Sequence, residues 1–262
     1  MNPERVFISA DHGLAIVYFL QSGVVPALLY EGVEVILLTD DALVGKINQR
    51  FGQPGLTVEG LRIKKATQYL EHVSPTTQWW LNFLRRVGAS NKINVQALDS
   101  HIRQVEMEAT GRRIAIISIM KLAISALRRS RFFRRKLVDL QMHYTPPQPG
   151  IYRDLFDQYQ PSLVIASTPA WRIDRFLMRE AHRRMVPTAS VIVGWDNPSS
   201  YSLSGSKIDW ITCWSEIQKE ELVQGSDWDP NRVNVAGIPS YDGYFQKQWL
   251  MSKEEYFKLH HL

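Results

Sequence analysis

The chain has 262 residues, of which 45% are hydrophobic, and this is enough for one large core or two small ones. The composition is that of a globular protein and excludes disordered and collagen-like classes. The single cysteine, Cys213, excludes an internal disulfide and fits a reducing compartment. Because the first residues lack the basic and apolar stretches of a signal peptide, we expect a cytoplasmic protein.

The net charge of +5 is unevenly distributed along the chain. Residues 111–136 contain no acid and nine basic residues, namely Arg112, Arg113, Lys121, Arg128, Arg129, Arg131, Arg134, Arg135 and Lys136. Subtracting these nine charges from +5 leaves −4 for the rest of the chain. A mildly acidic body with one basic segment predicts a local anionic partner rather than general affinity for nucleic acid.

Strand and helix patterns alternate in the first sixty residues and again after residue 150, which is typical of βαβ units with a parallel sheet. The predicted strands are residues 5–9, 33–38, 56–63, 162–166, 187–193, 209–214 and 232–236. The predicted helices between them are residues 12–21, 26–32, 42–51, 155–159, 171–184 and 216–223. The sequence therefore predicts an α/β fold with a Rossmann-like parallel sheet flanked by helices.

The middle of the chain differs from both ends, because residues 66–143 have a helical pattern throughout. Breaks are expected near residues 74–75, 88–90 and 110–111. The proline-rich residues 145–150 cannot continue a helix and end the segment.

Two expectations about domains follow from this organisation. Residues 1–250 form one Rossmann-like domain with a basic helical insertion over about residues 66–145. Ser252 and Glu255 have the spacing of a capping box, so residues 251–262 are expected to start a linker helix toward a further, absent domain.

The first candidate site residues follow the first strand. Asp11 and His12 lie where a helix N-terminus points its free N–H groups toward the carboxyl edge of the sheet. His12 is a candidate general base, because imidazole can take a proton from a hydroxyl, and Asp11 could orient its ring. The alternative is that Asp11 only caps the helix.

Three further loops after strands supply candidate substrate-binding residues. Trp195, Asp196 and Asn197 follow the strand at residues 187–193, although Asn-Pro also marks an ordinary turn. Thr168 follows the strand at residues 162–166, with helix capping as its alternative role. Glu216 lies in a second capping-box pattern, where a structural role in the first helical turn is the alternative.

Several common chemistries have no motif in this sequence. There is no G-x-G-x-x-G, no P-loop and no G-x-S-x-G nucleophile elbow. The seven histidines show no metal-ligand spacing. No cofactor and no metal are therefore predicted for this chain.

The basic segment predicts contact with an anionic membrane surface. Residues 114–127 are apolar but too short to span a bilayer. They are followed by the predicted membrane-binding residues Arg128, Arg129, Arg131, Phe132, Phe133, Arg134, Arg135 and Lys136. This order fits a helix lying in the membrane plane, which would make the protein peripheral on the inner face. The alternative is a buried helix followed by a solvated charged one.

One family resemblance is carried by residues 190–245. The matching residues are Trp195, Asp196, Asn197, Gly205, Asp209, Trp214, Ser215, Glu216, Lys219, Glu220, Gly237, Ile238, Pro239 and Asp242. This pattern resembles bacterial GT-B-fold transferases, which include glycosyltransferases and CDP-glycerol glycerophosphotransferase-like enzymes of surface polysaccharide synthesis. Residues 22–35 resemble the first helix and second strand of that family more loosely.

The resemblance implies an acceptor-side half of such an enzyme. In that family a second Rossmann domain binds the nucleotide-sugar donor, and this sequence does not contain it. The function implied is transfer of a sugar to a surface glycan or a lipid-linked acceptor, once the donor domain is supplied. A non-catalytic binding module for a glycan or a partner, and half of a nucleotide-sugar epimerase, are the alternatives.

Overall fold

The protein is described by a computed structural model that covers residues 4–90, 92, 95–143, 150–170, 172–194, 203–247 and 250–262. The strands in this part are β1 (Arg5–Ala10), β2 (Glu34–Thr39), β3 (Leu56–Gly60), β4 (Leu163–Ala166), β5 (Thr188–Val191), β6 (Trp210–Cys213) and β7 (Val233–Val235). They form one sheet in the order β3-β2-β1-β4-β5-β6-β7, and each neighbouring pair is parallel. The predicted Rossmann-like α/β fold is confirmed.

The helices of the described residues surround this sheet or extend from it. They are α1 (Gly13–Leu20), α2 (Val24–Tyr30), α3 (Val44–Phe51), α4 (Ile63–His72), α5 (Pro75–Val87), α6 (Val95–Met107), α7 (Arg112–Leu127), α8 (Arg131–His143), α9 (Arg153–Tyr159), α10 (Asp174–Arg183), α11 (Glu216–Ser226), α12 (Asp242–Phe245) and α13 (Lys253–His260). The helix predicted to start near Ser252 begins as expected, because Ser252 and Glu255 make both hydrogen bonds of a capping box, and its role as a linker stays a prediction. The predicted linker at residues 145–150 lies outside the described residues, apart from Gly150.

The order of the strands sets where a ligand can bind. The chain moves from β1 outward to β3, then returns to the other side of β1 to form β4. Helices that follow β1 and β4 therefore leave toward opposite faces, and a crevice opens between the two strand ends. Asp11 follows β1 and Ser167 follows β4, so both lie at this switch point of the sheet.

The two faces of the sheet have separate cores, because side chains alternate along each strand. Val6 and Ile8 pack on one face with helices α1 to α3. Phe7 packs on the other face, where its ring lies edge-on to Phe156 of α9 at 5.2 Å. Phe176 of α10 belongs to this second core.

Helices α5 to α8 build a third core beside the sheet. Trp79 and Phe83 stack at 5.2 Å within it, and Ile102, Ile124 and Leu137 are buried around them. The predicted helical character of the insertion is therefore confirmed. Helix α4 belongs instead to the sheet, since its Ala66 and Tyr69 pack in the core on the Phe7 face.

Three arginines join this helical insertion to the sheet. Arg134 of α8 makes two 2.6 Å hydrogen bonds to the carboxylate of Asp227, which follows α11. Arg179 of α10 donates to the carbonyl of Gln141 at 2.7 Å. Arg85 of α5 donates to the carbonyl of Leu203 at 3.5 Å. These contacts hold α5 and α8 against the second half of the sheet.

Candidate functional site

The carboxylate of Asp11 is the centre of a polar cluster at the switch point. Its Oδ1 accepts a hydrogen bond from the hydroxyl of Ser167 at 3.1 Å, and its Oδ2 accepts one from Arg172 Nε at 2.8 Å. The Asp11 side chain is 3% exposed, whereas Arg172 is 57% exposed. The cluster thus presents a guanidinium to solvent and keeps the carboxylate beneath it.

His12 caps helix α1. Its Nδ1 accepts a hydrogen bond from the backbone N–H of Ala15 at 3.3 Å. The alternative in which Asp11 caps this helix is therefore wrong. The Nε2 of His12 lies 3.7 Å from Asp11 Oδ1, and the catalytic roles of these two residues stay predictions.

The hydrogen bonding of His12 defines which proton it carries. Because Nδ1 accepts from the backbone, the neutral ring holds its proton on Nε2 and can donate from that atom. Burial lowers the pKa of His12 most, Arg172 lowers it further, and Asp11 opposes them. A neutral ring near pH 7 has the protonation state that a general base needs, but Nδ1 must leave the cap to accept a proton.

Thr168 has a different role from helix capping. Helix α10 begins at Asp174 rather than at residue 171, and the residue at its N-cap is Ile173. The Thr168 hydroxyl donates instead to Asp174 Oδ2 at 2.6 Å. Capping of α10 by Thr168 is therefore wrong, since its buried hydroxyl is used to hold an acid behind the switch point.

Asp174 is a buried acid that sequence reasoning missed. Arg172 N donates to its Oδ1 at 3.2 Å, in addition to the bond from Thr168. Burial raises the pKa of Asp174 to about 7, and the charge of Asp11 contributes to this shift. Asp174 can therefore hold a proton near neutral pH, next to the loop that carries Arg172.

Glu216 is not part of this cluster. It is exposed in the first turn of α11, after β6, which is two strands away from β4. Ser215 accepts from Gln218 N at 3.3 Å, while Gln218 Oε1 accepts from Trp214 N at 2.8 Å. The predicted capping by Ser215 is confirmed. Trp195, Asp196 and Asn197 lie outside the described residues, so their site role stays a prediction.

Sequence reasoning also missed the contribution of Ser167 and Arg172. Ser167 directly follows a predicted strand, whereas Arg172 fell inside the helix predicted over residues 171–184, which begins only at Asp174. The contact of Arg172 with Asp11 spans 161 positions of sequence, and it depends on β1 and β4 being neighbours. No local pattern encodes that neighbour relationship.

Helix α7 lies on the surface with most of its apolar side chains in solvent. Ile117 and Ile124 are buried, but Ile119 is 71% and Leu122 is 75% exposed. The other exposed large apolar residues of this helix are Ile114, Ile116 and Leu127. The alternative of a buried helix is therefore wrong for α7.

The predicted membrane-binding residues next to α7 differ in accessibility. Phe132 is 70% exposed. The exposed basic residues are Arg129, Arg131, Arg135 and Lys136. Arg131 also donates to the carbonyl of Asp227 at 2.8 Å.

Three of the predicted membrane-binding residues point into the protein. Phe133 packs against the core of the insertion, and Arg128 donates to the carbonyl of Val87 at 3.4 Å. Arg134 is 4% exposed and paired with Asp227. Arg134 is therefore a correction to the predicted set, because its guanidinium is enclosed by the protein and used there.

A cavity of about 510 Å³ lies between α8, α10, α11 and residues 203–209, and Pro169 of the loop after β4 reaches its lining. Val138, Ile192 and Leu222 form part of its apolar wall, and the Arg134–Asp227 pair borders it. In the described part of the chain, no predicted catalytic or substrate-binding residue lines this cavity. The switch-point cluster is the candidate site because the polar groups converge there.

Comparison with known proteins adds no family to this geometry. No model of a known protein family matches the chain, and no curated protein sequence matches it. Searches within the described residues find no group of three metal-ligating side chains and no single helix able to span a membrane. There, only α1 and α2 together, bent by 41°, have the length and composition of a broken span. The resemblance to GT-B-fold transferases stays a prediction.

Proposed function

We propose that this chain is the acceptor-binding half of a glycosyltransferase that acts on a surface glycan or a lipid-linked acceptor. The main support for the proposal is a polar cluster at the switch point of the sheet. Its members, which contact one another, are Asp11, His12, Ser167 and Arg172. Open α/β sheets bind ligands at this place. The resemblance of residues 190–245 supplies the class of reaction.

The chemistry of the cluster suits a sugar. Carboxylate, guanidinium, hydroxyl and imidazole groups donate and accept the hydrogen bonds that sugar hydroxyls make. Trp195, Asp196 and Asn197 are the further residues that this proposal assigns to sugar binding. A nucleotide-sugar donor would be bound by a second domain.

In the catalytic step, His12 would take the proton of the acceptor hydroxyl. Its ring must first release the N–H of Ala15, because Nδ1 is the atom free of a proton. Asp11, at 3.7 Å from Nε2, would stabilise the imidazolium that results. A substrate that draws the ring away from the helix end would therefore switch the base on.

A binding module without catalysis is the second candidate. The observation that favours it is that Asp11 and His12 both have hydrogen-bond partners within the protein already. The Asp11 carboxylate is paired with Arg172 and Ser167, and the His12 acceptor atom caps α1. A module of this kind would recognise a glycan, or a partner, with the same cluster and would have no need of a base.

Transfer assays with a chain joined to a donor-binding domain distinguish the two candidates. The proposal expects His12→Ala to reduce kcat by at least about 100-fold, the usual contribution of a general base. His72→Ala is the matched control, because His72 is exposed and its Nδ1 bonds to the carbonyl of Gln68 in the same helix. Equal turnover of His12→Ala and the unmodified chain would contradict the catalytic role.

Ligand binding is measured separately by NMR titration of the labelled chain with methyl glycosides. Amide shifts centred on Gly13, Ser167 and Arg172 support a sugar site at the switch point. Asp11→Asn should raise the Kd obtained from these shifts about tenfold or more, because hydrogen bonds to charged groups contribute about 1.5–3 kcal/mol. Shifts confined to another surface, or absent shifts, would remove the site.

We also propose that α7 and the start of α8 bind an anionic membrane surface. The supporting observation is the set of exposed apolar side chains on α7, next to the exposed Phe132, Arg129 and Arg135. Apolar side chains can enter the interface of lipid head groups while neighbouring cations contact anionic lipids. This would hold the site close to a lipid-linked acceptor.

Sedimentation with vesicles of phosphatidylcholine and phosphatidylglycerol tests this second proposal. The unmodified chain should sediment with these vesicles, and high salt should release it because salt screens exposed charges. Ile119→Asp should abolish sedimentation, whereas Ile217→Asp should not, since Ile217 is an equally exposed residue on α11. Equal behaviour of the two variants would contradict a role for α7.

A further inference from the structure

Three arginines meet where α5, α10 and residues 203–205 come together. Arg175 and Arg179 are one helical turn apart on α10, so their side chains lie on the same side of the helix. Their guanidinium carbons lie 4.9 and 5.6 Å from the centre of the Phe176 ring. The ring of Tyr69 meets Phe176 edge-on at 5.6 Å on the same core.

Arg85 of α5 is brought to this place by the backbone of residues 203–205. It donates to the carbonyl of Leu203 at 3.5 Å, and Arg179 donates to the carbonyl of Gly205 at 2.9 Å. The two guanidinium groups therefore hold carbonyls that are two residues apart. The charge of Arg175 is close enough to lower the pKa of both Arg85 and Arg179.

These arginines are costly to hold together. Burial lowers the pKa of Arg85 to about 10 and that of Arg179 to about 10, and it also lowers the pKa of Arg175. Asp174 is the acid that acts on Arg175, but burial raises its own pKa to about 7. At neutral pH that acid is ionised only in part and offsets the positive charge only in part.

The arginines also keep the capacity to bind a ligand. All three side chains are only partly buried, so each retains contact with solvent. Within the described residues, the Nε of Arg175 is buried from solvent and has no hydrogen-bond partner, so the exposed part of this side chain would meet a ligand first. A planar guanidinium matches the oxygen atoms of a phosphate with two parallel hydrogen bonds.

We propose that Arg85, Arg175 and Arg179 bind a phosphate or pyrophosphate group of an anionic ligand. The cluster lies beside the candidate site, because Arg175 follows Asp174 and Arg172 in the loop and helix after β4. A ligand with its phosphate on Arg175 could place a neighbouring group near Asp11 and His12. This inference rests on the proposed function, and it implies that the acceptor carries a phosphate group.

A purely structural role predicts different behaviour. In that case the arginines serve only to attach the insertion to α10, and the affinity of the protein for anions would not depend on Arg175. Arg175→Gln distinguishes the two roles because it removes one charge without touching the carbonyl bonds of Arg85 and Arg179. Arg183→Gln is the matched control, since Arg183 is an exposed arginine of the same helix.

Isothermal titration with inorganic pyrophosphate, at constant ionic strength set with sodium chloride, tests the proposal. We expect saturable binding by the unmodified chain and by Arg183→Gln. Arg175→Gln should bind about tenfold or more weakly, as expected for loss of a hydrogen bond to a charged group. Arg175→Lys keeps the charge without the planar fork and should bind with intermediate affinity.

NMR of the unmodified chain makes the test independent of whether a variant folds. Pyrophosphate should shift the amides of α10 around Arg175 and those near Gly205. No saturable binding, shifts elsewhere, or equal affinity of Arg175→Gln and Arg183→Gln would overturn the proposal. Competition by vesicles that contain phosphatidic acid would identify a lipid head group as the source, and its absence would identify a soluble phosphate compound.

The two proposals fail in distinguishable ways. Binding of pyrophosphate without any binding of methyl glycosides would leave the anion site intact and contradict the glycan acceptor. Binding of methyl glycosides at Asp11 without pyrophosphate binding would contradict the anion site alone.

Discussion

Arg172 Nε donates a 2.8 Å hydrogen bond to Asp11 Oδ2, and this bond ties the loop after β4 to the end of β1. It brings an exposed cation and a buried carboxylate next to His12, and the two charges act on the imidazole in opposite directions. Single substitutions at these two positions should therefore shift the pKa of His12 in opposite directions. NMR titration can measure both shifts.

Asp11→Asn should lower the pKa of His12. The carboxylate of Asp11 favours the charged imidazolium, so its removal leaves burial and Arg172 unopposed. Arg172→Gln should raise the same pKa, because a repelling positive charge is removed. NMR titration of the ring protons, assigned with a His12→Gln variant, measures both shifts. Changes of the same sign in the two variants would show that His12 does not experience both groups.

Asp174→Asn should change how stability depends on pH. The pKa of Asp174 is raised from 3.8 to about 7 in the folded protein, so the folded state binds a proton that the unfolded state has already lost. Stability contributed by this proton is present below about pH 4 and disappears as pH rises through 7. Asparagine does not ionise, so the stability of Asp174→Asn does not fall in this way. Its free energy of unfolding should therefore rise by up to about 4 kcal/mol relative to that of the unmodified chain as pH increases across this range.

Urea unfolding at pH 5 and pH 8 measures this difference. The amide oxygen of asparagine can still accept the hydrogen bond from Arg172 N, and its NH2 group can donate to the hydroxyl of Thr168, which now donates to Asp174. Glu254→Gln is the control, because Glu254 is exposed on α13. An equal stability difference at the two pH values would mean that Asp174 is ionised in the folded state over the whole range.

The sequence predicted most strands well because a buried strand is a short apolar run with clear turn signals around it. The strand predicted over residues 56–63 was too long, since β3 ends at Gly60 and α4 begins at Ile63. Residues 34–39 and 163–166 were both identified within one residue of their bounds. Helix starts were predictable where one side chain caps one turn, as at Ser215 and Ser252. These are local interactions, and local sequence contains them.

The failures occurred where a side chain had two possible partners. Thr168 could cap a helix or hold an acid, and it donates to Asp174. The N-cap of α1 could be Asp11 or the next residue, and it is His12 because Asp11 is drawn toward Ser167 and Arg172. The choice depends on which strands are neighbours, so it is made by tertiary structure.

Arg134→Ala should destabilise the protein strongly. Arg134 is buried, its Nε and Nη2 each lie 2.6 Å from an oxygen of the Asp227 carboxylate, and its Nη1 donates to the carbonyl of Arg128. Removing one member of a buried pair costs up to about 3–5 kcal/mol, and Arg131, whose Nε lies 3.5 Å from Asp227 Oδ1, compensates the remaining charge only in part. Chemical unfolding measures this cost.

Arg135→Ala is the control, because Arg135 is exposed and its replacement should change the free energy of unfolding by less than about 0.5 kcal/mol. Similar costs for both variants would contradict a buried pair.

Gly205→Ala tests the close approach between the segment at residues 203–205 and the loop after β4. A Cβ at Gly205 would overlap the carbonyl oxygen of Ala170, whose own φ of 57° is left-handed and leaves little freedom to move. Overpacking of this kind costs about 1–3 kcal/mol. Because the Gly205 carbonyl accepts from Arg179, the displaced backbone should also weaken pyrophosphate binding.

Gly13→Ala is the matched control for that substitution. No atom lies within 4 Å of a Cβ placed at Gly13, so alanine there should be neutral or stabilise α1 slightly. Thermal unfolding and pyrophosphate titration of the two variants separate the effects. Lower stability of Gly205→Ala with unchanged anion affinity would show that Arg179 is positioned mainly by Gln141, whose carbonyl it also binds at 2.7 Å. Reduced affinity together with reduced stability would instead make residues 203–205 the element that positions the arginine cluster.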